Sequence, residues 1–202
     1  MRAADTEHAV ADPIGQLVND RARAREARDP WANLCVFATV NEHRVPHARV
    51  VVLRDLDERL AIFVNATSPK HDQLQHGARY SVLVYLASLG VQYRLTVGLE
   101  AVAPETVHRN WRERPRIPKV MDWFYRRVQR QSTPIRSRQH LLDAYAELDA
   151  ELPHTIEAPL DAVGYFLVID EIERLELSGV QVHSRQHHRR RADGWLTNEL
   201  VP

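Results

Sequence analysis

Two arginines, Arg49 and Arg54, bracket the apolar run Val50-Val51-Val52-Leu53. A guanidinium is permanently charged and presents a planar fork of donors, which suits a phosphate or a carboxylate. The same pattern also fits an edge strand whose arginines snorkel to water. Beyond the next strand-like run, Ser68-Pro69-Lys70 opens a predicted helix. Free N–H groups, a hydroxyl and an ammonium at a helix start favour an anion; a plain N-cap is the simpler reading of Ser68. Gln92 begins a strand-like run, and Gln131-Ser132 lies in a polar stretch between helices. A glutamine amide both donates and accepts, so it can read the edge of a heterocycle, although most glutamines are surface residues. Near the end, Gln181, His183 and Arg185 alternate with Val180 and Val182. Period two puts the three polar residues on one strand face, where an imidazole and a guanidinium can hold an anion or a polarised carbonyl. A solvent-facing strand has the same pattern.

Other chemistries find less support. His183, His187 and His188 lack a carboxylate or cysteine at usable spacing, and Cys35 is the single cysteine, so no metal is expected. The run His187-His188-Arg189-Arg190-Arg191 lacks interleaved aromatics and abuts a turn, which fits a solvated hairpin face better than a nucleic-acid patch. There is no G-x-S-x-G, no G-x-G-x-x-G and no P-loop. Lys+Arg and Asp+Glu are balanced at 27 each, so no net field gathers nucleic acid or anionic membrane, and any anion site must be local. No apolar run approaches the roughly 20 residues of a membrane span. With no signal core at the start and one unpaired cysteine, the expectation is a cytoplasmic protein.

The positioning elements follow from hydrophobic periodicity. Residues 1–12 read as a disordered tail and 13–202 as one domain. Ile14, Leu17, Val18 and Ala22 predict an amphipathic helix opened by Pro13. Strand-like runs follow at 34–40, 48–53 and 60–65, with a turn at 55–59, and resume at 79–86 and 92–102. Helices are predicted at 104–114, 120–128 and 137–152, the last with Leu141, Tyr145, Leu148 and Leu152 on one stripe. The runs 164–175, 179–185 and 195–201 return to strand, with a turn at Ala192-Asp193-Gly194. The fold class is mainly β: an antiparallel barrel with peripheral helices.

Taken in order, several blocks resemble the pyridoxamine 5'-phosphate oxidase family. They are ATVNEHRVPHARVVVLR at 38–54, FVNATSPK at 63–70, Val91-Gln92-Tyr93, Arg114-Pro115-Arg116 and Arg130-Gln131-Ser132. The ending also fits, from His183-Ser184-Arg185 through Gly194-Trp195 to Leu200-Val201-Pro202. The likeness runs from about residue 14 to 202.

The resemblance implies an antiparallel FMN-binding split β-barrel, homodimeric, with C-terminal dimerisation strands and the flavin at the subunit interface. The family's chemistry, part of pyridoxal phosphate biosynthesis, removes a hydride equivalent from the 4' carbon of pyridoxine or pyridoxamine 5'-phosphate, with dioxygen as final acceptor. By position, Arg49 and Lys70 are expected at the FMN phosphate, with Ser68 shaping the loop. Gln92 is expected at the flavin, and Gln131, Ser132 and Arg185 are expected to reach it from the partner subunit. Val64 replaces a threonine there, Pro69 an arginine and Leu175 a tryptophan. Arg54 replaces a lysine and is expected at both flavin and substrate. Arg114 and His183 are the expected catalytic residues and, with Asn110 and Gln181, the substrate set. Asn110 replaces a tyrosine, Pro118 a serine and Gln181 an arginine, so the substrate side departs most. Alternatives are flavin chemistry on another ring, such as a phenazine precursor, and a non-catalytic flavin- or haem-binding module on the same barrel.

Overall fold

The computed structural model describes residues 12–74 and 76–202, so most of the expected N-terminal tail lies outside the described residues. Asp12 is described. Its Oδ1 accepts from the Ile14 N–H at 3.1 Å and caps helix α1 (Pro13–Glu26). Leu17 and Ala24 of α1 are fully buried against the barrel.

Among the described residues, nine antiparallel strands make one curled sheet: β1 (Leu34–Val40), β2 (Pro46–Val52), β3 (Arg54–Leu56), β4 (Arg59–Asn65), β5 (Tyr80–Leu86), β6 (Val91–Ala101), β7 (Ala162–Glu176), β8 (Ser184–Arg191) and β9 (Gly194–Glu199). The main path runs β2-β1-β5-β6-β7-β4-β3. The 15-residue β7 forks it. One edge of β7 pairs with β6, while the other pairs first with β4 and then with β8, which carries β9. The curl brings β2 into contact with β4. Inward residues Phe37, Val82, Val84, Tyr93, Leu95 and Ile172 fill the interior, each fully buried.

Helices α3 (Pro104–Arg112), α4 (Arg116–Arg127) and α5 (Arg138–Glu151) build a second core around Trp111, Val120, Phe124 and Leu148. The Trp111 indole donates to the Ile156 carbonyl at 2.7 Å, satisfying its one polar atom. Between β4 and β5 lies one short helix, α2 (Pro69–Gln73).

The expected architecture of antiparallel barrel and outer helices is present. Three local expectations are corrected. Of the expected strand 179–185 only Ser184 and Arg185 are strand: 177–183 form a loop, and β8 begins at Ser184. Val180 and Val182 are 92% and 82% exposed, because no neighbour pairs with this segment. The expected turn at 55–59 is largely a hairpin, in which Arg54 pairs with Ala61. Helix α4 starts at Arg116 rather than 120, with Pro118 in its first turn, where a missing N–H costs no helical bond. The basic run 187–191 is the body of β8. Arg189 meets Glu171 at 2.9 Å, and Arg190 stacks on Trp195 at 4.6 Å.

Candidate functional site

Strand β2 sits at the sheet edge, and its residues alternate between half-buried and exposed. Arg49 takes the half-buried face. It donates to the Phe37 carbonyl at 3.2 Å, Thr39 Oγ1 at 2.6 Å and Gln73 Oε1 at 2.7 Å. These bonds fix the guanidinium against α2 and leave donors over, since an arginine has five. Lys70 lies on the same short helix as Gln73, and its Nζ donates to Gln131 Oε1 at 3.2 Å. Burial lowers the Lys70 pKa from its ordinary value, and the nearby Arg49 charge lowers it further, against a smaller opposing pull from Asp122. Burial also lowers that of Arg49. The sheet curl therefore holds two like charges together in a partly desolvated place. Among the described residues neither forms an ion pair with a carboxylate. Such an arrangement is unfavourable until an anion joins it.

A cavity of about 360 Å³ opens beside Lys70. Its walls are β4 (Phe63, Val64, Asn65), Lys70, Gln131 and the near face of the α3–α4 corner, including Arg114, Ile117, Pro118, Met121, Asp122 and Tyr125. The size is that of a small-molecule site, and its wall mixes apolar side chains with polar and charged ones in similar number. Arg114 Nη1 bonds Asp122 Oδ2 at 2.6 Å, and its guanidinium lies over the Trp111 ring at 4.8 Å. Asn65 Nδ2 faces the other Asp122 oxygen at 3.4 Å.

Of the expected site residues, Val64, Lys70, Arg114, Pro118 and Gln131 line this cavity; Arg49 is held by Thr39 and Gln73 and is not part of the lining. Gln131 lines it from the same chain as Lys70. Ser132, next to it, is exposed at a left-handed turn (φ 64°) and does not line the cavity. Ser68 occupies the N-cap position without capping. Its hydroxyl is fully buried and donates to the Asn65 carbonyl at 2.6 Å, so it fastens the β4–α2 turn. Asn110 is buried within α3 and Arg54 sits on β3; neither lines the cavity.

A second group lies elsewhere. Gln92, Leu175 and Arg185 are direct neighbours across β6, β7 and β8, with Tyr85 of β5 continuing the row. Gln92 lines a hollow of about 340 Å³ on the outer face with Trp31, Val36, Leu83 and Tyr85. Arg185 is ion-paired to Glu173, its Nε 3.0 Å from Oε1. His183 and Gln181 lie in the 177–183 loop, where His183 Nδ1 accepts the Ser178 N–H at 3.0 Å. Arg114 lines the first of these cavities, and His183 lines neither. Gln181 and Arg185 do not form one strand face, because Gln181 precedes β8.

Sequence reasoning missed Asp122, Thr39 and Gln73. Thr39 and Gln73 anchor Arg49 through space, and no spacing rule links them. Asp122 falls inside a helical pattern, where a carboxylate normally signals only a solvated face.

No family model matches the chain. It is 29% identical over 196 residues to a pyridoxine/pyridoxamine 5'-phosphate oxidase of Anaeromyxobacter dehalogenans, covering 96% of this chain and 97% of that protein. It is also 29% identical to the Escherichia coli protein of the same name, covering 95% of this chain and 87% of that one. Among solved structures, PhzG of Burkholderia lata in complex with tetrahydrophenazine-1-carboxylic acid superposes with a TM-score of 0.84 at 24% identity, covering 100% of this chain and 98% of that one. A pyridoxamine 5'-phosphate oxidase-related, FMN-binding protein of Nostoc punctiforme gives 0.76 at 18% identity, covering 96% and 100%. These likenesses carry the fold.

Proposed function

We propose that this chain, which resembles the pyridoxine/pyridoxamine 5'-phosphate oxidases over nearly its whole length, is an FMN-dependent oxidoreductase acting on a small ring compound. The observation that carries the reading is the pair Arg49 and Lys70: two converging cations with donors to spare and no carboxylate partner among the described residues. A terminal phosphate supplies the missing charge, and charge-assisted bonds to it are the strong kind. Gln131 orients the ammonium, and Val64 offers an apolar surface to a flat ring. When bound, FMN supplies the hydride-accepting chemistry; the chain positions it and excludes water.

The second row, Gln92, Leu175 and Arg185, serves the same cofactor from a partner subunit in this reading. Its sheet face also carries Val50 and Val52, 49% and 44% exposed, beside Tyr85 and Trp31. A homodimer that covers this apolar face joins one chain's cation pair to its partner's amide and guanidinium. Ser132 and Arg54 lie outside the cavity of one chain and belong to the site only through that assembly, as does His183.

The test is to purify the chain, release any chromophore and identify it. A yellow protein releasing FMN is expected. A colourless chain that ignores added FMN overturns the reading. Peroxide release under air then screens substrates, with pyridoxine and pyridoxamine 5'-phosphate first because the relatives' names specify them. Among the described residues no helix is long and apolar enough to cross a membrane. A cytoplasmic enzyme fits that, and fractionation tests it.

A further inference from the structure

Two cations line the main cavity, Lys70 and Arg114. In the flavin reading, on which this inference rests, Lys70 is committed to the cofactor phosphate. Within one chain that leaves Arg114 as the cationic group facing a substrate, and Arg114 is paired with a carboxylate. Its guanidinium is bonded to Asp122 at 2.6 Å, with the two side chains only 23% and 10% exposed. The rest of the α4 wall is Ile117, Pro118, Met121 and Tyr125, which offer one phenol and otherwise apolar surface. Neither Asn110 nor Arg54 reaches the cavity, and Pro118 has neither hydroxyl nor N–H to give.

We propose that Asp122 makes the substrate side of this cavity selective against phosphate esters, so that the ring it accepts is unphosphorylated. A phosphate monoester carries about −1.5 to −2 charges at pH 7. Placed against Arg114, it meets the Asp122 carboxylate in a partly desolvated wall, where like charges repel strongly. Displacing Asp122 instead leaves a nearly buried carboxylate without its partner, which is costlier still. An uncharged ring meets neither penalty and gains from the apolar wall. Asp122 Oδ1 also keeps acceptor capacity, since its one contact, to Asn65, is long at 3.4 Å. A ring N–H or O–H suits it. Specificity here comes from a repulsive element as much as from an attractive one.

The experiment compares matched pairs by calorimetry: pyridoxine against pyridoxine 5'-phosphate, and 1-naphthol against 1-naphthyl phosphate. Each is titrated into the FMN-loaded protein, in which the cofactor phosphate already occupies the Arg49 and Lys70 pair. The unphosphorylated member is expected to bind at least as tightly as its ester. In Asp122→Asn, which keeps the shape and removes the charge, the ester is expected to gain about tenfold relative to its partner, the size of one charge-assisted contact. The inference is overturned if the parent prefers either ester by about tenfold or more, if D122N leaves the ratio unchanged, or if no member of either pair binds. The parent ratio needs no variant, so a misfolded D122N does not rescue the idea. Failure to take up FMN is read from the flavin spectrum before any titration, and it overturns the flavin reading and with it this inference.

Discussion

Lys70 Nζ and Gln131 Oε1 meet at 3.2 Å although 61 residues separate them in the chain. The contact ties the one-turn helix α2 to the connector between α4 and α5, and Arg130 adds a longer bond to the Thr67 carbonyl nearby at 3.5 Å. The two segments that carry Lys70 and Gln131 are thereby held together at the cavity wall. Preorganised cations lose less entropy when they bind than mobile ones do.

Lys70→Met is expected to weaken FMN binding by roughly 10- to 150-fold, the range for one hydrogen bond to a charged group. Titration by quenching of flavin fluorescence measures it. The same variant is expected to melt higher than the parent without ligand. A lysine whose folded pKa is depressed binds its proton less well folded than unfolded, so its charge opposes folding below the depressed value. That opposition fades as pH rises from the depressed value toward the ordinary 10.5. FMN affinity runs the other way. It holds while Lys70 is protonated and falls as pH climbs through the depressed pKa, and this step should be missing in the methionine variant.

Gly164 is expected to refuse a methyl group. A Cβ there meets the Phe63 ring at 2.7 and 2.9 Å and the Val102 Cβ at 3.2 Å. Gly164→Ala should cost about 1–3 kcal/mol, as overpacked cores do, measured by urea denaturation. Phe63 also lines the main cavity, so its displacement should lower ligand affinity as well. An unchanged urea midpoint would show that the ring moves aside freely.

Cys35 is expected to be inert. Burial pushes its thiol up to about 12, against a weaker opposing pull from Arg21. The nucleophile is the thiolate, which is scarce at pH 8 for such a group. A disulfide reagent should leave the native chain unmodified at that pH and titrate one thiol after denaturation. Rapid native modification would mean that β1 opens readily.

Val50→Glu is expected to leave the monomer's fold intact, with stability changed by less than about 0.5 kcal/mol, because the side chain points away from the core. If the outer face is a dimer interface, sedimentation should show a smaller species with weakened FMN binding. A parent that sediments as a monomer at all concentrations would remove the partner's share of the proposed site.

The order of local patterns along the chain was enough to specify the antiparallel barrel, the outer helices and the family it resembles. Alternating apolar runs such as Leu34–Val40 and Tyr80–Leu86 show directly which face is buried, because side-chain direction along a strand has a fixed period. The same reasoning failed at 179–185. Alternation there was real, but no strand edge was available to pair with it, and pairing is not a local property. Which cations act was likewise invisible. Arg49, Lys70, Arg114 and Arg185 are all simply cations in the sequence, yet among the described residues the first two form no ion pair with a carboxylate, while Asp122 and Glu173 pair with the others. A residue's charge is written in the sequence. Whether that charge is free depends on neighbours brought in by the fork at β7 and the packing of α4, and only the three-dimensional fold supplies those.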